Sequence, residues 1–196
     1  LFITTLLVST MIQAEPSYYK DTETLPYSII ETLDEDIEVR HYNEALGVMS
    51  SGNEDNGAFQ LLFNYISGEN TSSSNVSMTS PVEVGKRSQE IAMTSPVEVS
   101  SSETMMFFLP SKYDIKSAPV PTHKDVSLVT VPARTVAAIR YSGFNKDSDK
   151  KQYTNKLLKA LRDNNIELDG EPSYMGYDSP FTLTWNKRHE IIIPVE

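Results

Sequence analysis

The stretch "SMTSPVEVGKRSQEIAMTSPVEV", residues 77–99, states one phrase twice: Met-Thr-Ser-Pro-Val-Glu-Val stands at 78–84 and again at 93–99. A residue before proline is driven toward extended backbone, and the proline itself has no N–H for a ladder, so each copy predicts a strand end or an edge. Between them "GKRSQEI" (85–91) predicts a hairpin loop carrying Lys86 and Arg87. Neither copy holds a nucleophile beside a base, a metal-ligand pair or a glycine-rich phosphate loop. The phrase therefore announces β structure, not chemistry.

Working outward, the same alternation continues on both sides. Upstream, "YSIIETLDEDIEVRHYNEALGVMSSG" (27–52) reads as strands turning at Asp34-Glu35-Asp36 and at Asn43-Glu44. "GAFQLLFNYISG" (57–68) has Phe59, Leu62, Phe63 and Ile66 at helical spacing, with Gly68 as the stop. Downstream come an apolar strand, "ETMMFFLP" (103–110), and a proline-rich connector, "KSAPVPTHKD" (116–125). The second half then offers strands in "VSLVTVPARTVAAIRYSGF" (126–144), a helix in "KKQYTNKLLKALRDNNI" (150–166) and closing strands to Glu196. Each half thus predicts strands, a helix and strands, with local parallels such as "MTSPVEV" beside "YDSPFTL". The expectation is an α+β domain made of two related halves.

Composition narrows the function. The chain has 196 residues, enough to bury a sizeable core, and a net charge of −10. That charge excludes nucleic acid as an expected partner, since phosphate neutralisation needs clustered Lys and Arg. With no cysteine, disulfides and thiol chemistry are excluded too. "LFITTLLVSTMIQA" (1–14) is uncharged, its apolar part ends at Ile12, and Ala14 precedes a polar stretch. It is too short to span a bilayer and reads as a secretory signal peptide. The expected organisation is a leader at 1–14, a linker at 15–26 and one domain at 27–196. A leader makes the protein periplasmic or secreted; the alternative, a buried N-terminal helix, leaves it cytoplasmic.

Six separated segments in order carry a resemblance: "IEVRHY" (37–42), "AFQLLFNYISGEN" (58–70), "IAMTSPVEV" (91–99), "MMFFLPSKY" (105–113), "VPARTVAAIRYSGF" (131–144) and "YMGYDSPFTLTWNKRHEIII" (174–193). The chain resembles the SOUL heme-binding protein family over nearly all of its length after the leader. The resemblance implies a distorted antiparallel β-barrel flanked by two helices, built from a pseudo-duplicated half. It further implies a heme or other tetrapyrrole ligand and a non-catalytic carrier or buffer role. The alternatives are a binding domain for another amphipathic small molecule, or a protein-interaction module without a small ligand.

Heme binding calls for an apolar crevice, an optional axial ligand and cations for two propionates. The resemblance makes His41 the candidate axial ligand. Strand alternation sets it with Ile37 and Val39, opposite Glu38, Arg40 and Tyr42. His189 is a second candidate, at a place where the family usually shows asparagine, and His123 is expected to face solvent. Met49, Phe59, Leu62, Phe63 and Ile66 are candidate pocket lining, and Met93 is polarisable and adaptable enough to join them. Arg40, Lys86 and Arg87 are the candidate propionate partners. No two histidines have metal-site spacing and no carboxylate pair has a spacing that implies acid–base work, so no enzymatic activity is expected.

Overall fold

A computed structural model describes residues 17–50, 55–71, 88–100, 104–178 and 181–196. The expected leader, the first copy of the phrase, and Lys86 and Arg87 lie outside the described residues. The chain opens with a hairpin, β1 (Ser17–Tyr19) and β2 (Thr22–Thr24), then runs through β3 (Tyr27–Asp34), β4 (Ile37–Tyr42) and β5 (Ala45–Ser50). The helix α1 (Asp55–Ile66) is followed by β6 (Asn70–Thr71), β7 (Val97–Val99), β8 (Met105–Phe108), β9 (Val120–Pro121), β10 (Val126–Val131) and β11 (Arg134–Tyr141). The helix α2 (Asp147–Asp163), β12 (Ser173–Gly176), a 3-10 turn at Thr184–Asn186 and β13 (His189–Pro194) complete it. From Ser17 onward the expected linker is therefore a hairpin. No described helix is long and apolar enough to cross a membrane.

Nine strands form one antiparallel sheet in the order β10-β5-β8-β7-β12-β13-β11-β4-β3. The architecture is α+β, as expected, but the sheet is not closed into the expected barrel. Its two end strands, β10 and β3, each pair on one side only. β4 and β5, joined through Asn43 and Glu44, do not pair as a hairpin; each stands next to one of the two end strands, and the sheet stays open between β10 and β3.

Both helices pack on the same sheet face. From α1, Leu62 packs on Leu46, Val48, Phe107 and Leu109; from α2, Leu157 and Leu161 pack on Ile37, Val39, Ile139 and Ile191. The opposite face carries Tyr42, Phe108, Val136, Ala138, Met175, Tyr177 and Ile192, all buried although no helix covers them. The sheet curls over this face, and the N-terminal hairpin caps it through Tyr19 and Leu25. Strand alternation thus places residues of period two on two different cores.

The second copy of the phrase explains its own spelling. Pro96 stands just before β7, at a strand start as predicted, but β7 is interior, between β8 and β12. The Thr94 hydroxyl donates to the carbonyl of Phe108, and the Ser95 N–H donates to that of Glu23 at 2.9 Å. Glu98 is buried and accepts two hydrogen bonds from the Arg134 guanidinium, at 2.6 and 3.2 Å. Those contacts join β7 to the hairpin, to β8 and, across the curled face, to β11.

Candidate functional site

On the curled face, alternating strand positions bring ionisable groups into the core. Glu190 is fully buried on β13, where Ile191 and Ile193 turn the other way under α2. Its carboxylate accepts from Arg40 Nη1 at 2.9 Å, Tyr177 Oη at 2.8 Å, and Arg188 Nε and Nη2 at 3.0 and 2.7 Å. Arg40 also donates through Nε to Glu38 at 2.7 Å and lies 4.3 Å from the Tyr27 ring centroid. Burial by itself would lower the Arg40 pKa, but the adjacent Glu190 carboxylate outweighs it and holds the guanidinium charged. The Tyr42 phenol is pushed up to about 12, by burial first and by Glu190 next. This network ties β4 to β13 across the interior of the sheet and commits its charged groups to one another.

The space for a ligand is at the gap between the sheet's two ends. A cavity of about 590 Å³ is lined from separate segments, with Leu25, Pro26, Ala45, Leu46, Phe108, Leu109 and Ile115 as its apolar wall. Its polar lining includes Thr94, Tyr113 and Thr130, together with the carboxylates of Glu23, Glu44 and Asp114. Glu23 accepts from the Ser111 N–H at 2.7 Å, and Asp114 accepts from the N–H groups of Lys116 and Ser117 at 2.8 Å. Those backbone donors hold the Asp114 carboxyl below its ordinary pKa. A smaller, polar cavity of about 360 Å³ lies at the α2 side, lined by Tyr27, Glu38, Arg40, Arg140 and neighbours.

Among the described residues, none of the candidate ligand-binding residues lines the larger cleft. Phe59 and Leu62 belong to the α1 core, and Phe63, stacked on Phe59, is 42% exposed. Met49 sits on β5, where alternation turns it away from Val48 and α1. Met93 is exposed ahead of Thr94. His41 is half-buried on β4, with Nδ1 3.4 Å from the Thr135 hydroxyl. Arg40 is committed to Glu190 and Glu38.

His189 has both ring nitrogens engaged. Nε2 meets the carbonyl of Gly143 at 3.1 Å, which only accepts, so Nε2 carries the proton and Nδ1 accepts from Tyr174 Oη at 2.7 Å. Burial lowers its pKa below the ordinary 6.5, with Lys187 and Lys150 acting the same way against the Gly143 hydrogen bond. It is a structural imidazole with no lone pair to spare. His123, half-buried, accepts the Asp125 N–H at 3.2 Å.

The cleft residues escaped sequence reading because they come from five or so short segments with no shared motif. Fold and cleft together define the class, an antiparallel α+β domain with a concave apolar site at its open seam. The profile of the SOUL heme-binding protein family matches residues 22–194, and the chain belongs to that family. No curated protein matches the sequence.

Among solved structures, an uncharacterized conserved protein from Listeria innocua superposes with a TM-score of 0.55 at 14% identity, covering 82% of this chain and 92% of that one. A protein described as a hydrolase from Listeria innocua gives 0.54 at 12% identity, with coverage of 82% and 92%. The EcmrR C-terminal domain gives 0.50 at 16% identity, with coverage of 82% and 96%. At such identities the likeness is one of fold.

Proposed function

We propose that this chain is a non-enzymatic carrier or buffer of a flat amphipathic small molecule, exported to the periplasm or beyond, with a tetrapyrrole as the ligand to which its family points. The observation that carries this is the cleft at the sheet's open seam. Its 590 Å³ lies in the range of small-molecule sites, and its wall is apolar. Its residues fit the body of a tetrapyrrole but not a heme's charged ends. Among its described lining there is no histidine to ligate iron and no Lys or Arg to pair a propionate. Glu23, Glu44 and Asp114 stand where those cations are wanted. The described residues of the cleft therefore hold the ring by apolar contact and offer an anionic arm no cation.

That rim favours a second reading, an uncharged or cationic amphipathic molecule in the same cleft. Three titrations separate them: hemin, the corresponding porphyrin dimethyl ester and a cationic porphyrin, each against the full chain and against Ala45→Phe, which fills the cleft. A saturable Soret shift with hemin at one equivalent, lost in Ala45→Phe, supports the tetrapyrrole reading. Tighter binding of the ester or the cationic ring than of hemin supports the second. Retention of full affinity in Ala45→Phe removes the cleft from the function. His41→Ala is expected to leave the spectrum unchanged.

A further inference from the structure

The connection between β12 and β13 reads "YDSPFTLTWNKR" (177–188), with no charged residue from 179 to 186. Within it Phe181, Leu183 and Trp185 are 95%, 59% and 74% exposed, alternating with Thr182 and Thr184. The loop is not slack. At its base the buried Asp178 carboxylate accepts from the Arg188 N–H at 2.7 Å, from Tyr19 Oη at 3.2 Å and from the Lys20 ammonium. Lys20 also donates to the carbonyl of Asn186 at 3.2 Å, and the Asn186 N–H closes a turn onto Leu183 at 2.8 Å. The apolar side chains are held outward on a pinned frame. Phe144, 67% exposed, leaves the sheet at the same end, because Tyr141 and Gly176 both pair with His189.

We propose that this end of the domain docks on a phospholipid bilayer, with Phe181, Leu183 and Trp185 entering the headgroup boundary and Phe144 beside them. A contiguous group of exposed large apolar residues marks an interaction surface. Trp, Phe and Leu with hydroxyl spacers and no charge is the composition of an interfacial segment. Charge agrees: the chain carries −10, yet this loop has no free carboxylate, since Asp178 is covered by Lys20. Lys187 follows the loop, and Lys146 lies 5.3 Å from the Phe144 ring centroid. The acidic β3–β4 turn at this end has Lys156 within 3.8 Å of Asp34 and of Asp36.

The chain's single tryptophan, Trp185, is a built-in probe. The full chain is mixed with phosphatidylcholine vesicles, alone and with added phosphatidylglycerol, and Trp185 emission is read with and without acyl-brominated lipid. The expected result is a blue shift, quenching by the brominated lipid, and a loss of vesicle partitioning of at least about ten-fold in Phe181→Ser/Leu183→Ser. Far-UV circular dichroism of that variant matches wild type, because both side chains are exposed. Unmoved Trp185 emission overturns the proposal even if the chain sediments with vesicles through its N-terminal run. So does equal partitioning of the double variant, or a Trp185 shift that needs an added protein and not lipid.

Discussion

Glu190→Gln keeps the side-chain shape of the buried hub but removes its charge and turns one of its two acceptor oxygens into an amide donor. In the wild type one carboxylate answers two guanidiniums, Arg40 and Arg188, whose side chains are 3% and 12% exposed. Without it Arg188 loses its one ion-pair partner there, and Arg40 keeps Glu38 alone. Removing one partner from a buried pair costs about 3–5 kcal/mol, because the remaining charge is left desolvated. For a domain of this size each kcal/mol moves Tm by roughly 2–4 °C, so a fall of about 6–20 °C is expected. Urea and thermal unfolding followed by far-UV circular dichroism measure the free energy and the Tm, since the exposed Trp185 is a poor reporter of the core. Two controls define the cause. Tyr177→Phe removes one hydrogen bond to Glu190 and is expected to cost only about 1 kcal/mol. Arg188→Met/Glu190→Gln removes one stranded cation as well and is expected to regain part of the loss. If Glu190→Gln lies within about 1 kcal/mol of wild type, the network is not what holds the curled face together, and the reasoning fails.

Two further outcomes follow from other buried groups. His189 is held neutral, so the unfolded chain binds its proton more readily than the folded one does. Its contribution is complete above the ordinary value of 6.5 and is lost as pH falls below it, toward the lowered folded value, at no more than about 1.4 kcal/mol per pH unit. Stability measured from pH 7.5 to 5 is expected to fall more steeply in wild type than in His189→Gln; parallel curves refute this. Glu98→Gln deprives Arg134 of its carboxylate and is expected to cost about 1.5–3 kcal/mol in urea unfolding, whereas a change below about 0.5 kcal/mol removes the second phrase's Glu from the account.

Much of this molecule is local, and what is local was legible. The 3.6-residue spacing of Phe59, Leu62, Phe63 and Ile66 and of Tyr153, Leu157 and Leu161 marks the two helices. Alternation from Ile37 to Tyr42 assigns each side chain to its face, because a strand's period of two is a property of the backbone itself. The ordered family segments give membership. What alternation cannot convey is what waits on each face. It puts Arg40 opposite Val39, yet only the pairing order, which sets β4 and β13 on either side of β11, brings Arg40 to Glu190 and turns a candidate ligand cation into part of the core. The open seam is likewise a tertiary fact: it depends on β4 and β5 parting after Asn43-Glu44, which no residue in that turn announces. The apolar cleft there is assembled from residues as far apart as Leu25 and Thr130, so it exists only once the chain has closed over that distance. The doubled phrase stands between the two regimes. Its proline sets where a strand begins, by sterics alone; that the strand lies inside the sheet, and that its Glu98 meets Arg134, was decided by what folded around it.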